Sequence, residues 1–284
     1  MADRVLRSIL NDRTSGAAEI ESRIYVYLMS ALRIHRDKPA GEFSEAITRI
    51  KKRFHSMANI IRILEMVEKS AGKKEFESIS EELASYKIAI EDNRQLTTET
   101  AASRMCRFDT IFTLSNSSAI SRSISRAREL GWNGALKIPE SRPRNEGAIL
   151  AADLARAGIP VTLGVDANIP ELIKCSRAVF LGADAVTPSY FINKTGTAIA
   201  MEFAARYRKP VFVVADKSKF VADRIYKFIP DENPSREVFS GKSKKMTVIN
   251  NYFEKIIPIG KTRYICGDDI IDPAEVKNLL KRRH

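Results

Sequence analysis

From about residue 2 to residue 100, apolar side chains recur at helical spacing. The stripes are Ile20, Ile24, Leu28 and Leu32, then Phe54, Met57, Ile61 and Leu64, then Phe76, Ile79, Leu83, Tyr86 and Ile90. Residues three or four apart share one face of a helix, so this half predicts amphipathic helices. Turn-forming residues interrupt it at 12–16, 37–41 and 71–74. After about residue 105 the rhythm changes to short β-branched or aromatic runs. Strands are expected at Thr110–Leu114, Gly134–Ile138, Val161–Val165, Ala178–Leu181 and Val211–Val214, and helices at Ser118–Leu130, Glu146–Ala157, Ile169–Cys175 and Thr197–Tyr207. Strands alternating with ten-residue helices imply βαβ crossovers and a parallel sheet covered on both faces. The expected organisation is an N-terminal helical domain, residues 1–103, followed by a Rossmann-like, doubly wound α/β domain, residues 104–284, with the junction near 98–106. No repeat or low-complexity linker separates them, so the two parts are expected to pack together.

Composition narrows the picture. In 284 residues, 44% are hydrophobic, enough for a sizeable core. No run approaches the roughly 18–20 uncharged apolar residues of a membrane span, and the opening residues lack a secretory signal pattern, so a soluble, cytoplasmic protein with no membrane partner is expected. The three cysteines, Cys106, Cys175 and Cys266, lack CxxC spacing. They are expected to be reduced and mostly buried, forming neither a disulfide framework nor a zinc knuckle. The net charge of +12 favours an anionic partner, whether nucleic acid, an acidic protein or a phosphorylated metabolite. The basic residues fall in short groups such as Lys51, Lys52 and Arg53, or Lys217 and Lys219, without interleaved aromatics, which disfavours nucleic acid. His35, His55 and His284 have no companion ligands, so no metal is expected.

In doubly wound sheets, ligands bind beyond the carboxyl ends of the strands. After the first expected strand comes Ser115-Asn116-Ser117-Ser118, which either cradles a phosphate or simply caps the next helix. It contains no glycine, so it is neither a Walker loop nor a dinucleotide fingerprint. After the second comes Glu140-Ser141-Arg142-Pro143, where Arg142 is placed to grip a phosphate or carboxylate, or to serve a surface turn. After the fourth come Gly182-Ala183-Asp184 and then Asn193-Lys194-Thr195-Gly196-Thr197. A carboxylate beside a lysine and an amide suits proton transfer or hydrogen bonding to a sugar hydroxyl. The alternative is that Asn193 and the threonines cap the following helix.

Taken in order, Glu140-Ser141-Arg142-Pro143, Gly158 to Leu163 with Asp166, Gly182-Ala183-Asp184, and Asn193 to Thr197 resemble the family of translation initiation factor 2B alpha, beta and delta subunits. That family also contains ribose-1,5-bisphosphate isomerase and 5-methylthioribose-1-phosphate isomerase. The resemblance covers most of residues 105–284, including Phe253-Glu254 and Ile271-Asp272-Pro273. Weaker echoes are Ser15 to Ile20 and Ser56 to Asn59. In the family's isomerases a cysteine after the first strand and the aspartate of Gly-Ala-Asp move the proton between sugar carbons. Asp184 stands at the aspartate position, whereas Ser115 stands where the cysteine would be. A serine hydroxyl is far less acidic than a thiol with pKa near 8.5. The isomerases' two substrate arginines fall at Ser15 and Phe54, next to Arg13 and Arg53, and the loop after Asp184 is one residue shorter, with Thr187-Pro188-Ser189.

The resemblance therefore implies a regulatory-subunit-like protein with no cofactor. It would bind a sugar phosphate or nucleoside monophosphate through Ser115, Ser117, Ser118, Glu140, Arg142, Asn193 and Lys194, and assemble as a homodimer or larger oligomer. Initiation factor 2 or sister subunits are the expected protein partners. The alternatives are an aldose-ketose isomerase using Asp184 and, less favoured, a nucleic-acid-binding module on the basic helices.

Overall fold

A computed structural model of the chain describes residues 2–12, 16–34, 41–71, 76–230, 233–241 and 245–281. The expected breaks at 37–41 and 71–74, together with Arg13, Ser15, His35 and His284, lie wholly or partly outside the described residues. The N-terminal half forms α1 (Ala2–Leu10), α2 (Ala17–Ile34), α3 (Gly41–Arg53), α4 (Ala58–Ala71) and α5 (Phe76–Met105). The α2 stripe is buried as expected, with Ile20, Ile24, Leu28 and Leu32 each at most 4% exposed. The second stripe needs correction. Phe54 and Leu64 are buried as expected, but Phe54 and Met57 fall in a break between α3 and α4, and α4 buries Ile60, Ile63 and Val67 beside Leu64, with Ile61 only half-buried. The break exists because this corner is docked elsewhere: Tyr226 Oη donates to the Ser56 carbonyl at 2.6 Å, and the Ala58 N–H donates to the Asp184 carbonyl at 3.2 Å.

The second half alternates strand and helix. It contains β1 (Thr110–Phe112), α6 (Ser118–Glu129), β2 (Ala135–Pro139), α7 (Glu146–Arg156), β3 (Val161–Gly164), α8 (Ile169–Lys174), β4 (Ala178–Gly182), β5 (Ala185–Val186), β6 (Phe191–Lys194), α9 (Thr197–Arg206), β7 (Val211–Val214), β8 (Phe253–Ile256), β9 (Thr262–Cys266), β10 (Asp269–Ile271) and α10 (Val276–Lys281). The main sheet has the order β10-β9-β7-β4-β1-β2-β3, with β10 the antiparallel edge strand. Burial on both faces explains the continuous apolar runs. Along β4 and β7, Phe180 and Phe212 stack at 4.8 Å toward the side of α6 and α7. Val179, Leu181, Val211 and Val213 pack on the opposite side with α8 and α9. A second sheet, β5-β6-β8, is wholly antiparallel. Thus the stretch before Asn193, expected as a loop, is a β-hairpin, and Asn193 and Lys194 sit on β6.

The expected junction coincides with the last turns of α5, a 30-residue helix about 45 Å long. Its apolar face changes partner along its length. Ile79 and Leu83 join the N-terminal core, whereas Ala101, Ala102 and Met105 pack against the sheet layer. Charged groups close the seam. Arg94 of α5 binds the Glu21 carboxylate of α2 and lies 3.2 Å from Asp216, just after β7. Glu21 also accepts from Asn59 at 3.2 Å and Tyr86 at 3.3 Å. Burial works against the Arg94 charge, but Asp216 and Glu21 outweigh it and hold its pKa above the ordinary value.

Replacing Arg94 by Met would leave two buried carboxylates uncompensated. The expected cost is about 3–5 kcal/mol of unfolding free energy at neutral pH, read by urea denaturation. A loss below 1 kcal/mol would show that the seam does not depend on this pair.

Candidate functional site

The strand order reverses between β1 and β4, so the loops leaving these strands diverge and open a crevice. Hydrogen bonds tie the loops around it together. The Ser115 N–H, after β1, donates to Ser141 Oγ, after β2, at 2.9 Å. The N–H groups of Ser141 and Arg142 donate to the Asp166 carboxylate, after β3, at 2.8 and 2.7 Å. Ser115 and Ser141 hold left-handed backbone angles, φ 65° and 62°. Ser117 lies directly on the end of β4, since a Cβ at Gly182 would stand 2.7 Å from its Cβ.

Asp184 follows two residues later. Lys219 Nζ lies 3.8 Å from its Oδ1, and the same ammonium donates to Asn59 Oδ1 at 3.3 Å. The Asp184 side chain keeps 21% of its surface, yet the surrounding protein is deep enough that desolvation dominates and raises its pKa. Lys219 and Lys194 pull the other way without overcoming burial. Lys194, whose side chain is 4% exposed, donates to Glu146 Oε1 at 2.7 Å and stands 5.0 Å from the Tyr252 ring. The second Glu146 oxygen is buried without a hydrogen-bond donor among the described residues. A ligand hydroxyl or a water would satisfy it.

Helix N-termini are the natural anion positions here, and the structure separates them. The first-turn N–H groups of α9 are taken: Gly196 and Ala198 donate to Glu254 Oε1 at 2.9 and 2.8 Å. In α7, the N–H groups of Gly147 and Ala148 point to the Glu140 carbonyl at 3.1 and 3.3 Å. The first turn of α6 has no side-chain cap, although Ser117 occupies the N-cap position. Of these three helix starts, that of α6 is the one left open among the described residues.

Asp184 has Lys219 and Lys194 as its charged neighbours, and Ser117 stands at the end of β4 two residues before it. Asn193 is buried and donates to Thr197 Oγ1 at 3.0 Å, so its amide orders the turn into α9. Glu140 contributes its carbonyl to α7. Arg142 is exposed, with its guanidinium on the carbonyls of Pro143 and Glu237 at 3.2 and 3.1 Å. It stands at the rim. Ser118 lines a separate cavity with Arg94 and Arg122.

Lys219 was missed as a site residue. Expected as part of a surface pair, it is 7% exposed. The available signal was its place just beyond β7, on the ligand-binding edge. Asn59 and Glu146 were also missed, because their roles depend on tertiary neighbours. The cysteines need correction as well: only Cys266 is buried, whereas Cys106 and Cys175 lie exposed at the ends of α5 and α8.

An acid with a raised folded pKa binds more protons folded than unfolded, so its contribution to stability is lost as pH rises through the folded value. The stability of the natural chain relative to Asp184→Asn should therefore decline as pH rises from about 4 toward neutrality. Parallel urea titrations measure this, and a difference that grows with pH contradicts the environment described for Asp184.

The Initiation factor 2 subunit family profile matches residues 13–257. Among curated proteins, the chain is 35% identical over 158 residues to ribose 1,5-bisphosphate isomerase of Methanocaldococcus jannaschii, covering 54% of this chain and 51% of that protein. It is 31% identical over 114 residues to translation initiation factor eIF2B subunit alpha of Caenorhabditis elegans, covering 40% and 37%. The chain thus spans about half the length, or less, of these curated relatives. Among solved structures, the Pyrococcus horikoshii OT3 translation initiation factor eIF-2B superposes with TM-score 0.80 at 19% identity, over 95% of this chain and 96% of that one. The 5-methylthioribose 1-phosphate isomerase of the same organism superposes with TM-score 0.73 at 21% identity, over 99% and 86%. These two likenesses establish the fold.

Proposed function

Because the chain belongs to the Initiation factor 2 subunit family, we propose that it is a regulatory-subunit-like member that holds a phosphorylated sugar or nucleoside monophosphate at the strand ends without converting it. The observation that carries this reading is the pairing of an anion-ready pocket with a missing thiol. Two buried lysines, Lys194 and Lys219, flank Asp184 beside the uncapped first turn of α6. The unsatisfied Glu146 oxygen suits a ligand hydroxyl. A phosphate and a polyol in one molecule answer both features.

Proton transfer between sugar carbons needs a second acid or base opposite Asp184. Ser115 supplies a hydroxyl, not a thiolate. Cys266 ends β9, yet burial pushes its thiol up to about 12, and its sulfur faces Asn93 Oδ1 at 3.9 Å. Cys106 and Cys175 are exposed and bonded within their own surroundings, to the Ala127 carbonyl and to Glu171. In this reading the ligand is sensed, and the protein works in the cytoplasm as a homodimer or larger oligomer that presents its surfaces to sister subunits or to initiation factor 2. A relative of this fold has been solved as the tetrameric eIF2B-beta2-delta2 complex from C. thermophilum, which supports the assembly part of the proposal.

The second reading is an aldose-ketose isomerase. It is favoured by the raised pKa of Asp184, which suits a proton donor, and by the activity named for the curated isomerase relative.

Incubation with ribose-1,5-bisphosphate separates the two. The expected result is a raised melting temperature, worth about 2.7 kcal/mol at ligand a hundredfold above its Kd, lost in Lys194→Met, with no ribulose-1,5-bisphosphate formed. Turnover abolished by Asp184→Asn establishes the isomerase, and a flat melting response across ribose phosphates and nucleoside monophosphates overturns the binding reading.

A further inference from the structure

A cavity of about 330 Å³ opens between α2, α4, α5 and the start of α6. Its walls include neither Asp184, Asn193, Lys194 nor Lys219. It runs along Glu21 and Arg94 and reaches the start of α6 at Ser118. The volume falls within the range of small-molecule sites.

The lining joins an apolar wall to charges of both signs, Glu19, Glu21 and Glu91 beside Lys87, Arg94 and Arg122. Tyr25, Ile63, Tyr86 and Ile90 give an apolar, partly aromatic wall. Burial raises the Tyr86 phenol well above its ordinary pKa, so it stays a neutral donor, bonded to Glu21. Arg94 is already committed to Glu21, Asp216 and Glu91, and the Lys87 ammonium rests 4.4 Å over the Tyr25 ring. Arg122 differs. Its guanidinium is exposed at the cavity edge, and it makes no ion pair or hydrogen bond among the described residues. A planar fork of N–H donors next to aromatic walls matches a phosphate or carboxylate carried on a flat or apolar body.

We infer that this cavity is a second binding site, for a small organic anion whose charged group sits on Arg122 and whose apolar part lies on Tyr25, Ile63 and Tyr86. The inference differs from the strand-end reading in its charged group, Arg122, although Ser118 at the start of α6 borders both places.

Phenyl phosphate is a suitable probe, with inorganic phosphate and phenol as its two halves, titrated by calorimetry into the full chain. Phenyl phosphate should bind at least about tenfold more tightly than either half. Arg122→Gln should weaken it by about tenfold or more, as expected for losing one charged hydrogen-bonding partner. Tyr25→Leu should also weaken it, whereas Lys194→Met should leave it unchanged. Circular dichroism checks that each variant is folded. Binding lost in Lys194→Met but kept in Arg122→Gln would place the probe at the strand ends and overturn the inference. So would phenyl phosphate binding no better than its halves, or not at all.

Discussion

Charge that is taken out of water must be matched where it stands, and that requirement organises this molecule. Asp184 and Lys219 face each other at the end of the sheet, and neither could be held there alone, because an isolated buried ion costs several kcal/mol. Lys219 needs Asn59 as well, and Asn59 belongs to the helical layer. Asn59 also donates to the Ala17 carbonyl at 2.8 Å and to Glu21, which is matched in turn by Arg94, and Arg94 by Asp216. The helices therefore lie over the strand ends because the charges of the pocket are completed from both sides of the seam. Architecture and site share one set of interactions.

The same requirement explains why one first turn is left open. Glu254 occupies that of α9, and the Glu140 carbonyl faces that of α7. At α6, of these three crossover helices, the partial positive charge of the helix start faces neither a capping side chain nor a loop carbonyl among the described residues. A binding protein and an isomerase could both use this arrangement. What separates them is a partner for Asp184 in proton transfer, and the loop after β1 carries Ser115, whose backbone N–H donates to Ser141 Oγ, and no cysteine.

The alternating layers were legible from the chain because their physics is local. Runs such as Val211 to Val214 can only be buried on both faces, and the helices between them repeat with clear periodicity. Asp184 and Lys194 were legible because they sit in short motifs next to strands. The antiparallel sheet was not. β5 has two residues and β8 begins with half-buried Phe253 and Glu254, so neither carries an apolar run, and both exist through pairing with β6. The break at Phe54 to Met57 was hidden for a related reason, since its apolar residues kept helical spacing while tertiary bonds from Tyr226 and Asp184 interrupted the helix. Lys219 looked like a solvated cation because its two partners lie 160 and 35 residues away along the chain.

The claim on which the functional account rests is that the strand-end pocket takes a phosphate and a hydroxylated body together. A crystal structure of the chain soaked with ribose 5-phosphate tests it most directly. The account predicts the phosphate at the first turn of α6, within reach of Lys194 or Lys219, and a ligand hydroxyl on the second Glu146 oxygen. A pocket that stays empty at saturating ligand, or a sugar phosphate bound only elsewhere on the protein, would contradict it.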